Sequence, residues 1–181
     1  DPESQGRVKV QFVWQEEQNK TTNWIRVRSL DSGKSEIVLK NRGFVFVPEE
    51  NDQVIVCFEL ANPSRPYVSG SMFNEKNGYG GGRNNSIKSI ITRSGHTLIF
   101  DDTEGGENII LKDKSGNELM FKTSEESIEI TAQESLFLNA KKLFINIEDT
   151  ISQYSKQLKT IVEENVTGKI GVCCYSKRAE E

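Results

Sequence analysis

The last third of the chain repeats a short pattern of apolar and polar positions every seven or eight residues between residues 127 and 171. Helical solenoids and propellers have much longer units, so this period predicts one short strand and one turn per repeat. Such a repeat builds a rod rather than a globular domain. The inward aliphatic residues predicted for this rod are Ile128, Ile130, Leu136, Leu138, Leu143, Ile145 and Ile147.

Charged corners separate these apolar positions, and their sign alternates along the chain. The corner residues are Glu134, Lys141, Lys142, Glu148, Asp149, Lys156, Glu163 and Glu164. If successive periods stack along one axis, opposite charges become neighbours and fix the register between chains. One copy alone would leave both strand edges unpaired and bury only about two or three side chains per period. We therefore predict a homotrimer wound about a shared axis.

The first 74 residues carry a different pattern, in which apolar and polar residues alternate over short runs separated by turn residues. This alternation, with no helical period, predicts a small antiparallel barrel. Its predicted strands cover residues 8–12, 24–28, 37–39, 44–47, 54–58 and 67–72.

These patterns divide the chain into a barrel over residues 1–74, a linker rich in glycine and asparagine over 75–90, a needle over 91–172 and a tip or disordered tail over 173–181. Further strands are expected at residues 94–100, 107–112 and 115–121, where a Ser-Gly turn followed by an apolar run occurs twice. Residues 149–164 also fit the stripe of an amphipathic helix, but strands are preferred because the upstream period continues through them.

Several motifs in the barrel and just beyond it carry a family resemblance. They are GRVKVQFVW at residues 6–14, WIRV at 24–27, GFVFVP at 43–48, DQVIV at 52–56, NPSRPYVSG at 62–70 and TRSGH at 92–96. They resemble the barrel domain of valine-glycine repeat protein G (VgrG), the spike of type VI secretion systems, which is similar to the puncturing needle of contractile phage tails. The resemblance implies an all-β chain with an oligonucleotide/oligosaccharide-binding (OB) barrel, followed by an elongated intertwined trimeric β-helix, a triangular β-prism needle.

The same resemblance implies a structural spike and not an enzyme, one that punctures a target-cell envelope and carries tip proteins or effectors. Such a protein is made in the bacterial cytoplasm, assembled on the secretion apparatus, and secreted or injected into the target cell. The implied partners are two further copies, inner-tube and baseplate proteins, a tip cap protein and effectors, and transiently the target membrane, but no nucleic acid.

This chain departs from the family pattern at several points. Val13 stands where the family commonly has proline, Asn51 stands where glycine is usual, and residues 127–167 contain no glycine. The large N-terminal hub-like region of the family is also absent from this sequence. We therefore expect a short spike or an excised portion, whose needle sets its register by charge where relatives use glycine.

Composition narrows the alternatives. A net charge of -4 and a pI near 5.3 argue against a general nucleic-acid binder, and no apolar run is long enough for a membrane helix. The alternative function is an OB-fold binding module for single-stranded nucleic acid or glycan. It would use exposed aromatic and basic residues of the barrel: Phe12, Trp14, Phe44, Phe46, Arg26 and Arg28. At alternating strand positions, however, aromatic side chains are more often part of the core.

Candidate chemistry is sparse, and we predict no catalytic residue, metal ligand or cofactor. The one histidine, His96, follows Ser94 and Gly95 in a turn, with no nucleophile-elbow motif near it. The acidic group Asp101, Asp102 and Glu104 has hairpin chemistry rather than the spacing of a calcium loop. The adjacent pair Cys173 and Cys174 has no nearby histidine or third cysteine to complete a metal site.

Overall fold

The computed structural model describes residues 1–74, 78, 81–159 and 161, and in these the chain is all-β apart from three short 3-10 turns. Contacts within the chain define two units, residues 1–136 and residues 137–181. All of the regular strands described belong to the first unit. They are β1 Arg26–Val27, β2 Ser32–Gly33, β3 Arg42–Gly43, β4 Val54–Phe58, β5 Pro66–Ser71, β6 Ile87–Ile91, β7 Thr97–Asp101, β8 Asn108–Lys112, β9 Glu118–Lys122 and β10 Ser127–Thr131.

The N-terminal region is organised around β5. This strand pairs in parallel with β1 and antiparallel with β4, so Val68 lies between Val27 and Val56. Val68 is completely buried, and Ile25, which bridges to Val8, is the other buried apolar residue of the described chain. Strands β2 and β3 form a separate small hairpin. The hydrophobic core of this region is therefore small and lies around the central strand β5.

Strand prediction in this region is correct at β4 and nearly so at β5, but it is wrong at residues 37–39 and 44–47. Residues 37–39 lie in the exposed loop between β2 and β3, and residues 44–47 follow β3 without a ladder. Alternation shows which side chains could share a face, whereas a strand also needs a hydrogen-bonding partner. The hairpin ends at Gly43, where φ is +111° and the backbone approaches Asp31 too closely for a Cβ.

The predicted strands at 8–12 and 24–28 are much shorter in the structure. Only Val8 of the first makes a β-bridge, and only Arg26–Val27 of the second forms β1. Apolar alternation continues beyond the residues that find a partner, so it overestimates the length of both strands.

Strands β6 to β10 form one antiparallel meander in which each strand pairs with the next. The strands expected within residues 94–100, 107–112 and 115–121 are thus confirmed as β7, β8 and β9. The two Ser-Gly turns place Gly95 and Gly116 at φ of +89° and +90°, which explains why the same turn precedes both β7 and β9. Strand β6 begins at Ile87, inside the range 75–90 assigned to the linker.

Beyond β10, the described residues 132–159 contain neither helix nor strand. The helical alternative for residues 149–164 therefore finds no support in residues 149–159, and the rest of that segment except residue 161 lies outside the described residues. Predicted strands of the intertwined β-helix would pair between copies, and a single chain offers them no partner. The β-helix part of the fold stays a prediction.

A cluster of hydrogen bonds holds the β8–β9 turn against the point where the chain leaves the sheet. The carboxylate of Asp113 accepts hydrogen bonds from the backbone N–H groups of Ser115 (2.8 Å) and Asn117 (2.9 Å), and from Asn117 Nδ2 (2.6 Å). Asn117 Oδ1 accepts from the N–H of Gln133 (2.9 Å), and Gln133 Nε2 donates to the carbonyl of Gly116 (3.0 Å). We call this cluster the exit clamp. It holds residue 133 against the β8–β9 turn.

The exit clamp makes folding stability depend on pH. Hydrogen bonding from the Asn117 side chain lowers the pKa of Asp113 below its ordinary value of 3.8. A lowered folded pKa contributes stability above the unfolded pKa and loses it as the pH falls through the folded value. We expect Asp113→Asn to be less stable than the parent in urea at neutral pH, with the difference shrinking below pH 3.8. Glu16→Gln, which removes an exposed carboxylate outside the clamp, should show no such change. A difference that stays constant with pH would contradict the assignment.

Candidate oligomerisation surface

The register of the meander places nine of its large apolar side chains on one side of the sheet. Cross-strand partners share a side, and residues two apart in a strand return to it. One row of partners contains Phe100, Ile109, Phe121 and Ile128, with Lys88 at its end. A second row, two residues along, contains five aliphatic residues. Together they form the apolar face: Ile90, Leu98, Phe100, Ile109, Leu111, Leu119, Phe121, Ile128 and Ile130.

The opposite side of the same sheet, the polar face, is built for water. Lys112 pairs with Glu118 directly across β8 and β9 at 3.6 Å, and Lys122 pairs with Glu129 at 2.7 Å. The hydrogen bond to Glu129 raises the pKa of Lys122. A short central row of apolar residues lies between these charged groups. It consists of Ile99, Ile110 and Met120, which are half-buried beneath their neighbours.

The apolar face is largely uncovered. Seven of its nine side chains are between 39% and 63% exposed, with the highest values at Ile128 and Ile130 in the edge strand. Antiparallel sheets commonly keep one face in water, but the wet face is then the polar one. Contiguous exposed apolar surface rimmed by polar residues marks an association site. The geometry therefore identifies this face as the candidate functional surface of the described chain.

Of the predicted trimer-core residues, the structure brings two onto this face. Ile128 and Ile130 occupy adjacent rows of β10. The other five follow the sheet at positions without a ladder, and each is more than half exposed, so the single chain gathers them into no common surface. These are Leu136, Leu138, Leu143, Ile145 and Ile147.

The predicted register corners are exposed wherever the structure describes them. None of them forms an ion pair within residues 1–74, 81–159 or 161, whereas nine ion pairs are formed by other residues up to Glu129. The described corners are Glu134, Lys141, Lys142, Glu148, Asp149 and Lys156. Glu163, Glu164 and the pair Cys173 and Cys174 lie outside the described residues.

The residues suggested for nucleic-acid or glycan binding are partly engaged with each other. The ring of Phe12 stacks on that of Trp14 at 4.5 Å between centroids, and Arg26 pairs with Glu59 at 3.2 Å. Phe44 and Phe46 are half exposed or more, so they belong to the surface and not to a barrel core. These aromatic side chains therefore do not form a continuous surface, lined by basic residues, on which successive bases could stack.

The candidate catalytic and metal-ligating residues lie in turns or, for Asp101, at the end of β7. The backbone of His96 closes the β6–β7 turn on Thr92, and Asp101 accepts a hydrogen bond from the N–H of Thr103, with Thr103 also lowering its pKa. Asp102 pairs with Lys88 at 2.9 Å. Among the described residues no group of three histidine, cysteine, aspartate or glutamate side chains could hold a metal ion, and no helix is long and apolar enough to cross a membrane.

Sequence reasoning missed most of the apolar face. It identified β7, β8 and β9 as strands but assigned none of their side chains to the association surface. Alternation within each strand carries part of the signal, because Ile109 and Leu111 are separated by one residue, as are Leu119 and Phe121. Each strand has two sets of alternating residues, one on each side of the sheet. The length of every turn between the strands decides which set lies on the same side as Ile128.

Comparison with known protein families assigns the N-terminal part. Residues 1–73 match the family described as the type VI secretion system/phage-baseplate injector OB domain. Two Pseudomonas aeruginosa proteins are similar over more of the chain: type VI secretion system spike protein VgrG1b, 28% identical over 136 residues, and VgrG1c, 29% identical over 140 residues. These alignments cover 71% and 72% of this chain but 17% and 18% of the relatives.

A further relative, spike protein VgrG5 of the same organism, is 35% identical over 75 residues, 40% of this chain and 9% of its own. The chain thus spans less than a fifth of the length of the curated relatives it matches. The VgrG resemblance seen in the sequence motifs is confirmed by these matches. Residues 1–73 thus carry the injector OB domain, and the chain is similar over about 70% of its length to spike proteins of type VI secretion systems.

Proposed function

We propose that this chain is the spike of a contractile injection apparatus and acts as a homotrimer. The observation that carries the proposal is the exposed apolar face of the β6–β10 sheet. In the trimer, three such faces meet around one axis and the three polar faces turn to solvent. Covering a half-exposed aliphatic or aromatic side chain contributes on the order of 1 kcal/mol, and each copy presents seven of them.

Three copies fit the chain better than two. A pair of sheets could also cover their apolar faces as a sandwich, but the segment that follows has only two or three inward residues per period. So narrow a core suits three ribbons around an axis. In this arrangement Ile128 and Ile130 belong to the core of the three sheets, and the apolar positions from Leu136 to Ile147 form the core of the needle.

The needle is proposed to transmit axial force. In a closed prism the hydrogen bonds of every strand are shared between copies, so shear must break many of them together. The OB barrels form the base, where inner-tube and baseplate proteins bind. The far end carries a cap protein or effectors, and the needle breaches the target envelope in transient contact with its membrane. This role needs no catalytic residue and no cofactor.

The charged corners are proposed to set the register of the needle. The corners at Glu134, Lys141 with Lys142, Glu148 with Asp149, and Lys156 alternate in sign and lack ion pairs within the described chain. Between copies, each exposed pair would contribute at most about 1 kcal/mol. Their effect is therefore on which register forms more than on how stable the trimer is.

The sheet part of the proposal is tested by a matched pair of variants in β10. Ile130 lies on the apolar face and Thr131 on the polar face, and both are exposed in the single chain. Sedimentation of the parent should give the mass of three chains. Ile130→Asp puts three carboxylates near one axis and should abolish the trimer, while Thr131→Asp should leave it intact. A monomeric parent at micromolar concentration would overturn the proposed function.

The needle part is tested at Leu138. Leu138→Asp should dissociate the trimer or leave residues beyond the sheet protease-sensitive, because it also brings three like charges together. In the proposed ribbon Phe137 alternates onto the side opposite to Leu138, so Phe137→Asp serves as the control and should preserve the trimer. If both variants sediment as intact, protease-resistant trimers, residues 136–138 do not lie in the shared core.

The corner hypothesis is tested by reversing one corner. Replacing Lys141 and Lys142 together by Glu places three acidic corners in succession, and we expect misregistered assembly, seen as broadened sedimentation and faster limited proteolysis of the needle. Adding Glu148→Lys with Asp149→Lys restores alternation and should recover the parent behaviour. Unchanged assembly of the first variant would count against a role in register.

A further inference from the structure

A groove lies between the barrel and the first strand of the meander, inside the first unit. It has a volume of about 650 Å³, within the range of sites that hold an apolar group. Three phenylalanines line it, Phe44, Phe46 and Phe73, and their side chains are 50%, 60% and 73% exposed. We call this the phenylalanine groove. Exposed aromatic surface of this extent is typical of an association site.

The phenylalanine groove continues into the apolar face. Ile90, in the edge strand β6, lines the groove and also belongs to the row of the apolar face that ends at Ile130. Ser89 and Ile91, on the other side of the sheet, line it as well, so the groove lies along the edge of β6 and borders the apolar face at Ile90. A neighbouring copy that covers the apolar face would come next to the groove, which favours a second copy of the chain as the occupant.

The same chain presents a matching projection. The loop between β2 and β3 carries Ile37 and Leu39, which are 92% and 71% exposed. We call these two residues and Val38 the hairpin tip. The tip is held in shape by a local turn, in which Ser35 N–H donates to the Val38 carbonyl (2.7 Å) and Val38 N–H donates to Ser35 Oγ (3.0 Å). An apolar projection that is already ordered loses little entropy on docking.

Charge complements shape at the two surfaces. Arg28 lines the phenylalanine groove and forms no ion pair among the described residues. Glu36 directly precedes Ile37 and likewise has no ion pair there. An arginine in an aromatic groove and a carboxylate beside an apolar tip can pair when the tip enters, and such pairs favour one docking direction over others.

We propose that the hairpin tip of each copy inserts into the phenylalanine groove of the next copy, locking the three OB barrels into a ring. The inference rests on the proposed trimer, whose threefold axis closes the head-to-tail contact; without closure such a contact would grow into a filament. The tip does not fill the groove of its own copy, because Ile37 is almost fully exposed in the single chain.

Cysteine cross-linking tests the contact and its direction. In the full chain with Cys57, Cys173 and Cys174 changed to serine, the double variant Ile37→Cys with Phe46→Cys is treated with a short bismaleimide. We expect covalent dimers and trimers and nothing larger. Either single variant alone should stay monomeric on a denaturing gel, because a head-to-tail contact never brings two tips or two grooves together. Leu60→Cys with Phe46→Cys is the control, since Leu60 is as exposed as Ile37 but lies outside the tip.

Charge reversal supplies a second readout in the chain with its native cysteines. Arg28→Glu or Glu36→Arg alone should raise the concentration at which the trimer dissociates by roughly tenfold, because three such contacts are lost per ring. The two changes together should restore the parent value. A parent that sediments as a monomer overturns the trimer itself. A trimeric parent with no tip-to-groove cross-link, with cross-links beyond three chains, or with no rescue overturns the ring contact alone.

Discussion

Five antiparallel strands in uninterrupted register put nine apolar side chains on one side of a single sheet, and the rest of the chain must accommodate that face. The opposite side carries cross-strand charge pairs such as Lys112 with Glu118 on either side of a short apolar row. The apolar face is the more hydrophobic of the two, and among the described residues no further element packs over it. This imbalance supports the proposed association of copies.

The N-terminal region likewise buries few of its apolar side chains. Its core consists of Ile25 and Val68, while phenylalanines at residues 44, 46 and 73 stay at the surface. A domain of about this size normally hides more of its apolar area than that. In the proposed assembly one set of contacts covers both the apolar face and the exposed phenylalanines, because the copy that covers the sheet lies beside the phenylalanine groove. The composition fits this, since only 35% of the residues are hydrophobic.

Sequence reasoning was most accurate where structure is decided locally. The strands at Thr97–Asp101 and Glu118–Lys122 follow Ser-Gly turns, and turn and alternation together located them. It failed at residues 44–47, where apolar residues alternate but no partner strand is present. The exit clamp was invisible because Asp113 and Asn117 act on Gln133, sixteen residues beyond Asn117, and only the folded meander brings them together. Residues 132–159 have the short apolar period but form no strand in the described chain, so periodicity alone does not make a ladder.

The two halves of the proposed shaft differ in what they need in order to fold. Each strand of the meander pairs with its sequence neighbour across a short turn, so its contacts are local and can form within one chain at little cost in loop entropy. Ladders in the needle would have to form between copies and can begin only after association. For the proposed trimer we therefore expect the meander to fold first and to present the apolar face. The exit clamp fixes where residue 133 leaves the sheet. If all three copies leave their sheets at this residue, the charged corners need only disfavour the neighbouring registers of the needle. Exposed charge pairs, each of about 1 kcal/mol, are sufficient for that.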